Sequence, residues 1–274
     1  MSFSICLIGN SHVAAVKQAW TNRAPMVQPD VLVDFFSAST ALLPKLELDG
    51  HIWRCGSETL REKIVYTSGG QDCIDLSRYD VFVILGAGFG LDIPKFAEDY
   101  DIASKTRPPE GSLLSRSCFA ALIAAWFEDS LAVQLIGTIR SVSDSPVLLC
   151  AAPFLSERVL TDEEPLRDQK RFQDNEFLDF VVAAAKAAGE KISNRLGAAL
   201  IWQEPETGGV TGFTKAKYGL NPVRFTMRGG SPAMDRKHGN EEYGAIMLGA
   251  ILRKLDRMSN GRVLPPQRKS RAAE

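Results

Sequence analysis

Only three histidines occur in the 274 residues: His12, His51 and His238. Proton transfer through an imidazole near neutral pH must use one of them. His238 lies three residues after Asp235 and just ahead of a segment with clear helical periodicity. A carboxylate at that spacing can accept from Nδ1–H, which fixes the tautomer and leaves Nε2 free to take a proton from a hydroxyl. The loop also has a plainer reading. Asn240 is a suitable helix cap, Glu241 and Glu242 suit a first turn, and Asp235 then only decorates a surface loop. His12 follows Ser11 directly, and adjacent helix residues point in different directions. It is a poor base for that serine and reads as a polar first-turn residue. His51, in Gly50-His51-Ile52-Trp53, has only Asp49 near it and reads as a surface or packing residue.

A hydroxyl for such a base stands near the other end of the chain. Phe3–Ile8 is rich in strand formers and ends at Gly9, and Asn10-Ser11-His12 then leads into a helical stretch. A serine at that junction exposes its hydroxyl at the open edge of a sheet. Its own N–H lies at a helix N-terminus, where a developing oxyanion is stabilised. Serine is equally a preferred N-cap, so this motif also has two readings. The dinucleotide fingerprint G-x-G-x-x-G and the Walker pattern are both missing, which disfavours a nucleotide-binding α/β protein.

The elements that must position these residues alternate. Val31–Phe36, Val81–Leu85, Val147–Ala151 and Ala199–Trp202 are further strand candidates, continuous in apolar character as in a parallel sheet covered on both faces. Helices are expected over His12–Arg23, over Ser112–Ile139 with a kink or break near Gly137, and over Phe172–Leu196. A last helix carries Gly244, Met247, Leu248, Ile251, Leu252 and Leu255 on one stripe. The alternation predicts a three-layer α/β/α sandwich with a mostly parallel sheet. Ligands of such sheets bind beyond the carboxyl ends of the strands. Residues 1–258 are expected to form one domain, and 259–274 a disordered tail rich in Pro and basic residues.

Composition narrows the classes. The chain is 45% hydrophobic and 24% charged with a formal net charge of −1. That balance favours neither nucleic acid nor an anionic membrane as a partner. The start of the chain lacks a basic segment followed by a long apolar run, and Cys118–Phe127 is half a membrane span. A cytoplasmic protein is expected. The five cysteines are scattered, without C-x-x-C, and the three in apolar runs, Cys6, Cys118 and Cys150, are read as small core residues in a reducing compartment. No cluster has metal-ligand spacing, and no cofactor signature is present.

The two end motifs together are more specific than either alone. Gly9-Asn10-Ser11-His12 resembles the opening block of the SGNH/GDSL hydrolases. Asp235-x-x-His238-x-Asn240-x-x-Tyr243-Gly244 resembles their closing block, and the two stand at opposite ends of the chain as in that family. The resemblance implies a flavodoxin-like fold, Ser11 as nucleophile, His238 as general base and then acid, and Asp235 as the residue that orients His238. It also implies an oxyanion hole from the Ser11 N–H, a glycine after the second strand and an asparagine after the third. This chain departs there. Ser37 and Ala38 follow the second strand, and Gly86-Ala87-Gly88 follows the third, so candidate donors are the backbone N–H groups of Ser11, Ser37, Ala38, Gly86 and Gly88. Lys215, Lys217, Arg224 and Arg228, in the long segment from Glu204 to Met234, are candidates for an anion-tolerant substrate loop, with a solvated loop as the plainer reading. The activity implied is that of a serine acyl-ester hydrolase or acyltransferase, with a small-molecule or O-acylated carbohydrate ester as substrate. A catalytically silent binding module on the same fold is the alternative.

Overall fold

The computed structural model describes residues 2–23, 31–93, 99–105, 108–161, 170–225 and 235–260. Its centre is a five-stranded sheet. β1 (Phe3–Gly9) leads through α1 (Val13–Arg23) to β2 (Val31–Ser37). A small antiparallel sheet follows, made of β3 (Leu46–Asp49), β4 (Ile52–Cys55) and β5 (Cys73–Asp75), with α2 (Glu58–Ser68) between β4 and β5. The chain returns to the centre as β6 (Val81–Leu85) and then pairs β7 (Tyr100–Ile102) with β8 (Ser112–Leu114). α3 (Arg116–Glu128) and α4 (Leu131–Arg140) lead to β9 (Val147–Cys150), and α5 (Asn175–Arg195) leads to β10 (Ala198–Ile201). α6 (Glu241–Met258) is the last described element.

The central sheet has the order β2-β1-β6-β9-β10, and every neighbouring pair is parallel. Counted along the chain this is the flavodoxin-like order 2-1-3-4-5, as the three-layer reading requires. β6 and β9 are buried along their whole lengths, which explains their uninterrupted apolar sequences. Alternate residues serve two cores. Cys6, Ile8, Phe82, Ile84 and Leu149 face the side of α2, α3, α4 and α5. Ile5, Leu7, Val83, Leu85 and Leu148 face α1 and α6. Each such aliphatic or aromatic side chain contributes roughly 1.5–3 kcal/mol on leaving water.

The long helix expected over Ser112–Ile139 is two helices. α3 and α4 meet at a bend of 51°. The break is at Asp129-Ser130 rather than at Gly137, because Ser130 caps α4 by accepting from Val133 N–H. Gly137 lies inside α4. Ser115 caps α3 in the same way, and Asp174 caps α5. Among the described residues no single helix is long and apolar enough to cross a membrane. Cys118 corrects the reading of the cysteines. It is exposed on α3, whose inward stripe is Phe119, Ile123 and Phe127, while Cys6 and Cys150 are buried.

The strand order reverses between β1 and β6. α1 carries the chain from β1 over one face, and α3 and α4 carry it from β6 over the other. The connections therefore diverge at the carboxyl ends of β1 and β6, and this opens a crevice. Ser11 and the Gly86–Gly90 turn lie there.

Candidate active site

Gly9 ends β1 at a point where only a glycine fits. A Cβ there would lie 2.1 Å from the carbonyl oxygen of Leu85. The chain then turns through Asn10-Ser11-His12, held by Val13 N–H to Asn10 O (3.1 Å) and Ala14 N–H to Ser11 O (3.1 Å). α1 begins at Val13, one residue later than the sequence pattern predicts. Ser11 is not spent as a cap: its Oγ–H lies 2.6 Å from His238 Nε2, across a sequence separation of 227 residues.

The loop carrying His238 is braced by backbone. Asp235 N–H donates to Gly219 O, Ser156 N–H to Arg236 O, and Asn240 N–H to Tyr218 O, all at 2.8–2.9 Å. Gly219 has to be glycine, since a Cβ would fall 2.4 Å from Asp235 O. Asn240 caps α6 through Tyr243 N–H at 3.0 Å, as the sequence predicts. Within the loop Asp235 is fully engaged. Oδ1 accepts from Lys237 N–H (2.7 Å) and His238 N–H (3.2 Å). Oδ2 accepts from His238 Nδ1–H at 2.8 Å and pairs with the Arg224 guanidinium. The Asp235 side chain is only 5% exposed. A buried carboxylate held by four donors keeps the imidazole in one tautomer.

The electrostatics suit a base. Burial, then the Arg224 and Lys237 cations, hold His238 down to about 4. The Asp235 carboxylate pulls the other way, but Arg224 shares it and offsets its field. His238 is neutral at pH 7, with Nε2 presented to the serine as an acceptor.

The cleft in front of Ser11 has a volume of about 370 Å³ and is lined by Gly88, Leu91, Trp126, Leu155 and Lys237 among others. Three of the five candidate oxyanion donors are already used. Ser37 N–H donates to Thr67 Oγ1 (2.9 Å). Ala38 N–H donates to Gly9 O (3.3 Å), and Gly86 N–H to Cys150 O (2.9 Å). In each case the donor serves the fold: Ser37 ties β2 to α2, while Ala38 and Gly86 continue the ladders at the strand ends. Among the described residues the N–H groups of Ser11 and Gly88 have no acceptor. Gly88 and Ala87 both have positive φ, +80° and +50°. That places successive amides in the kind of turn that gathers N–H groups around an anion.

The candidate substrate-loop cations that are described each have a partner within the protein. Lys215 Nζ donates to Glu206 O, and Lys217 pairs with Glu242 and sits over the Tyr218 ring. Arg224 belongs to Asp235. Arg228 lies outside the described residues. Among the described residues the cation that lines the cleft is Lys237, paired loosely with Asp92 at 3.6 Å. Its only sequence signal was adjacency to His238. The stretch from Glu204 to Phe225 is ordered by Glu157, whose carboxylate accepts from Val210 N–H (3.2 Å) and Ala216 N–H (3.0 Å). Nothing local in the sequence marks Glu157 for that task. Among the described residues no group of three His, Cys, Asp or Glu is arranged to hold a metal ion.

No family model matches the chain, and no curated protein matches it. Solved structures similar to it include the periplasmic domain of a lipopolysaccharide acetyltransferase from Salmonella Paratyphi A. That match has 13% identity over 93% of this chain and 84% of the other, with a TM-score of 0.43. An extracellular lipase from Streptomyces rimosus matches at 13% identity over 91% of this chain and 99% of its own, with a TM-score of 0.44. A mutant acetyl-xylooligosaccharide esterase from Geobacillus matches at 12% identity over 93% and 95%, with a TM-score of 0.40. At these values no residue role passes from those proteins to this chain.

Proposed function

We propose that the protein is a serine-dependent acyl-ester hydrolase or acyltransferase. The observation that carries this reading is the closed relay Ser11 Oγ–His238 Nε2 at 2.6 Å and His238 Nδ1–Asp235 Oδ2 at 2.8 Å. It opens onto a cleft lined by Ser11 and Gly88, whose N–H groups have no acceptor among the described residues. Ser11 Oγ attacks the ester carbonyl while His238 Nε2 takes its proton. The carbonyl electrons move to oxygen, which the N–H groups of Ser11 and Gly88 stabilise. Collapse breaks the bond to the alcohol, which leaves with the proton from His238. Water, or an acceptor hydroxyl, then gives its proton to His238 and attacks the acyl-serine, and collapse breaks the acyl bond to Ser11 Oγ, which takes that proton back from His238. Asp235 stays ionised and orients the ring throughout.

The cleft's lining, with Leu91, Trp126 and Leu155 beside Asn10, Thr40, Asp92 and Lys237, suits a small acyl group on a polar alcohol. The resemblance of the end motifs directs the first substrate panel to O-acetylated carbohydrate. The test compares wild type, Ser11→Ala and His238→Ala on short-chain p-nitrophenyl esters and on a fluorophosphonate probe. Wild type is expected to label at Ser11, and each variant to lose about 10⁴-fold or more in kcat. Equal turnover by wild type and Ser11→Ala across several acyl lengths would overturn the proposal.

A further inference from the structure

One imidazole of the cleft takes no part in this relay. His12 lines the cleft beside Ser11 and Gly88. Its ring centroid is 5.1 Å from that of His238, with the planes 33° apart. Its Cδ2 abuts the glycine-rich turn: a Cβ on Gly86 would come within 3.0 Å of it. The ring therefore touches both the base and the turn that presents the Gly88 N–H.

The two ring nitrogens differ in surroundings. Nδ1 is sealed from solvent and has no hydrogen-bond partner. Nε2, next to Cδ2, is not a sealed orphan of this kind, and the residue itself lines the cleft. A proton on Nδ1 would be a buried N–H without an acceptor, which native structures tolerate less well than an under-used acceptor. The proton belongs on Nε2, where it can be donated. The cation is disfavoured as well, because burial, then His238 and Lys237, hold His12 down to about 3. A neutral imidazole with a fixed tautomer can donate to a developing negative charge without surrendering its proton.

We propose that His12 is a third donor of the oxyanion site, held as the Nε2–H tautomer and directed at the acyl oxygen of an ester bound between Ser11 and Gly88. The inference rests on the serine mechanism above. No bond to hydrogen is broken at His12, so its proton is present before and after each turnover.

Two measurements on the full chain test it. A ¹⁵N NMR spectrum at pH 7 reads the tautomer directly, and Nε2–H is expected; an Nδ1–H ring or an imidazolium overturns the proposal. Kinetics of His12→Phe and His12→Gln read the donor. His12→Phe keeps a ring against His238 but has no N–H, so kcat is expected to fall about 10²-fold with little change in KM or in the acid limb of the pH profile. His12→Gln, whose amide can donate, is expected to recover part of that loss. If His12 served only to pack against His238, His12→Phe would keep its kcat and His12→Gln would be the worse enzyme, and that result overturns the proposal. Loss of activity in Ser11→Ala with His12→Phe unaffected removes His12 alone. A Ser11→Ala variant as active as wild type removes the serine mechanism and the role of His12 together.

Discussion

Replacing Arg224 by alanine is expected to raise the pKa of His238 and so move the acid limb of kcat/KM. Arg224 and His238 Nδ1 share one oxygen, Asp235 Oδ2. Two partners of one oxygen stand about 5 Å apart, and at an effective dielectric of about 20 the repulsion between guanidinium and imidazolium is about 3 kcal/mol. The guanidinium is 34% exposed, so solvent screening reduces this by about half. What remains is worth about one pKa unit. The limb should therefore move from about 4 in wild type to roughly 5 in Arg224→Ala. The assay is a pH series of kcat/KM on a short-chain chromogenic ester, read at a wavelength where both forms of the product absorb equally. Activity above pH 7 should change little, since the base is neutral there in both proteins. A limb that stays at about 4, or moves down, would refute this account of the Asp235 carboxylate as shared between Arg224 and His238.

Three further outcomes follow from the same geometry. Asp235→Asn presents an amide to the His238 ring and unsettles its tautomer, so kcat should fall by about 10⁴-fold with the fold intact by circular dichroism. Gly219→Ala pushes a Cβ into the Asp235 carbonyl. It should cost about 1–3 kcal/mol in denaturant stability and about 10²-fold in kcat, because the whole loop shifts; wild-type kinetics would show that the loop is not braced from Gly219. Stability should also fall on acidification. His238 and His12 are held down to about 4 and about 3 in the folded protein, against about 6.5 unfolded. Between those values the unfolded chain binds more protons, so stability is complete above about pH 6.5 and declines as pH drops toward 4. Urea midpoints that do not change across that window would contradict the neutral imidazoles.

Much of the architecture was legible because it is written locally. β6 and β9 announce themselves as short unbroken apolar runs, and the carboxyl ends of such strands are where ligands bind. α6 shows its core stripe and its cap, Asn240, within a few residues. The elements that were not foreseen are those with little apolar signal. β3, for example, is exposed along most of its length, and its strand character comes from pairing with β4 rather than from its own residues. The α3–α4 break was misplaced for a different reason. A serine cap at Ser130 ends one helix and starts another, while an interior glycine such as Gly137 is simply tolerated.

The site divides along the same line. Asp235 and His238 are three residues apart, so their contact is a property of one loop and could be read from spacing. Ser11 was marked by its place after the first strand. That its hydroxyl meets His238 at 2.6 Å is decided by the parallel sheet and by α6 docking beside α1. The choice among backbone donors is also tertiary. Ser37, Ala38 and Gly86 look as suitable as Ser11 and Gly88 in one dimension, yet their N–H groups serve the fold. Charge behaves likewise, since an Arg or Lys carries no label for its partner. Arg224 is drawn to a buried carboxylate, Lys217 to Glu242, and Lys237 is left to face the cleft. His12 shows the contrast most sharply. Its neighbour in sequence points to nothing, while its packing, with Nδ1 sealed and the residue lining the cleft, gives the imidazole a direction.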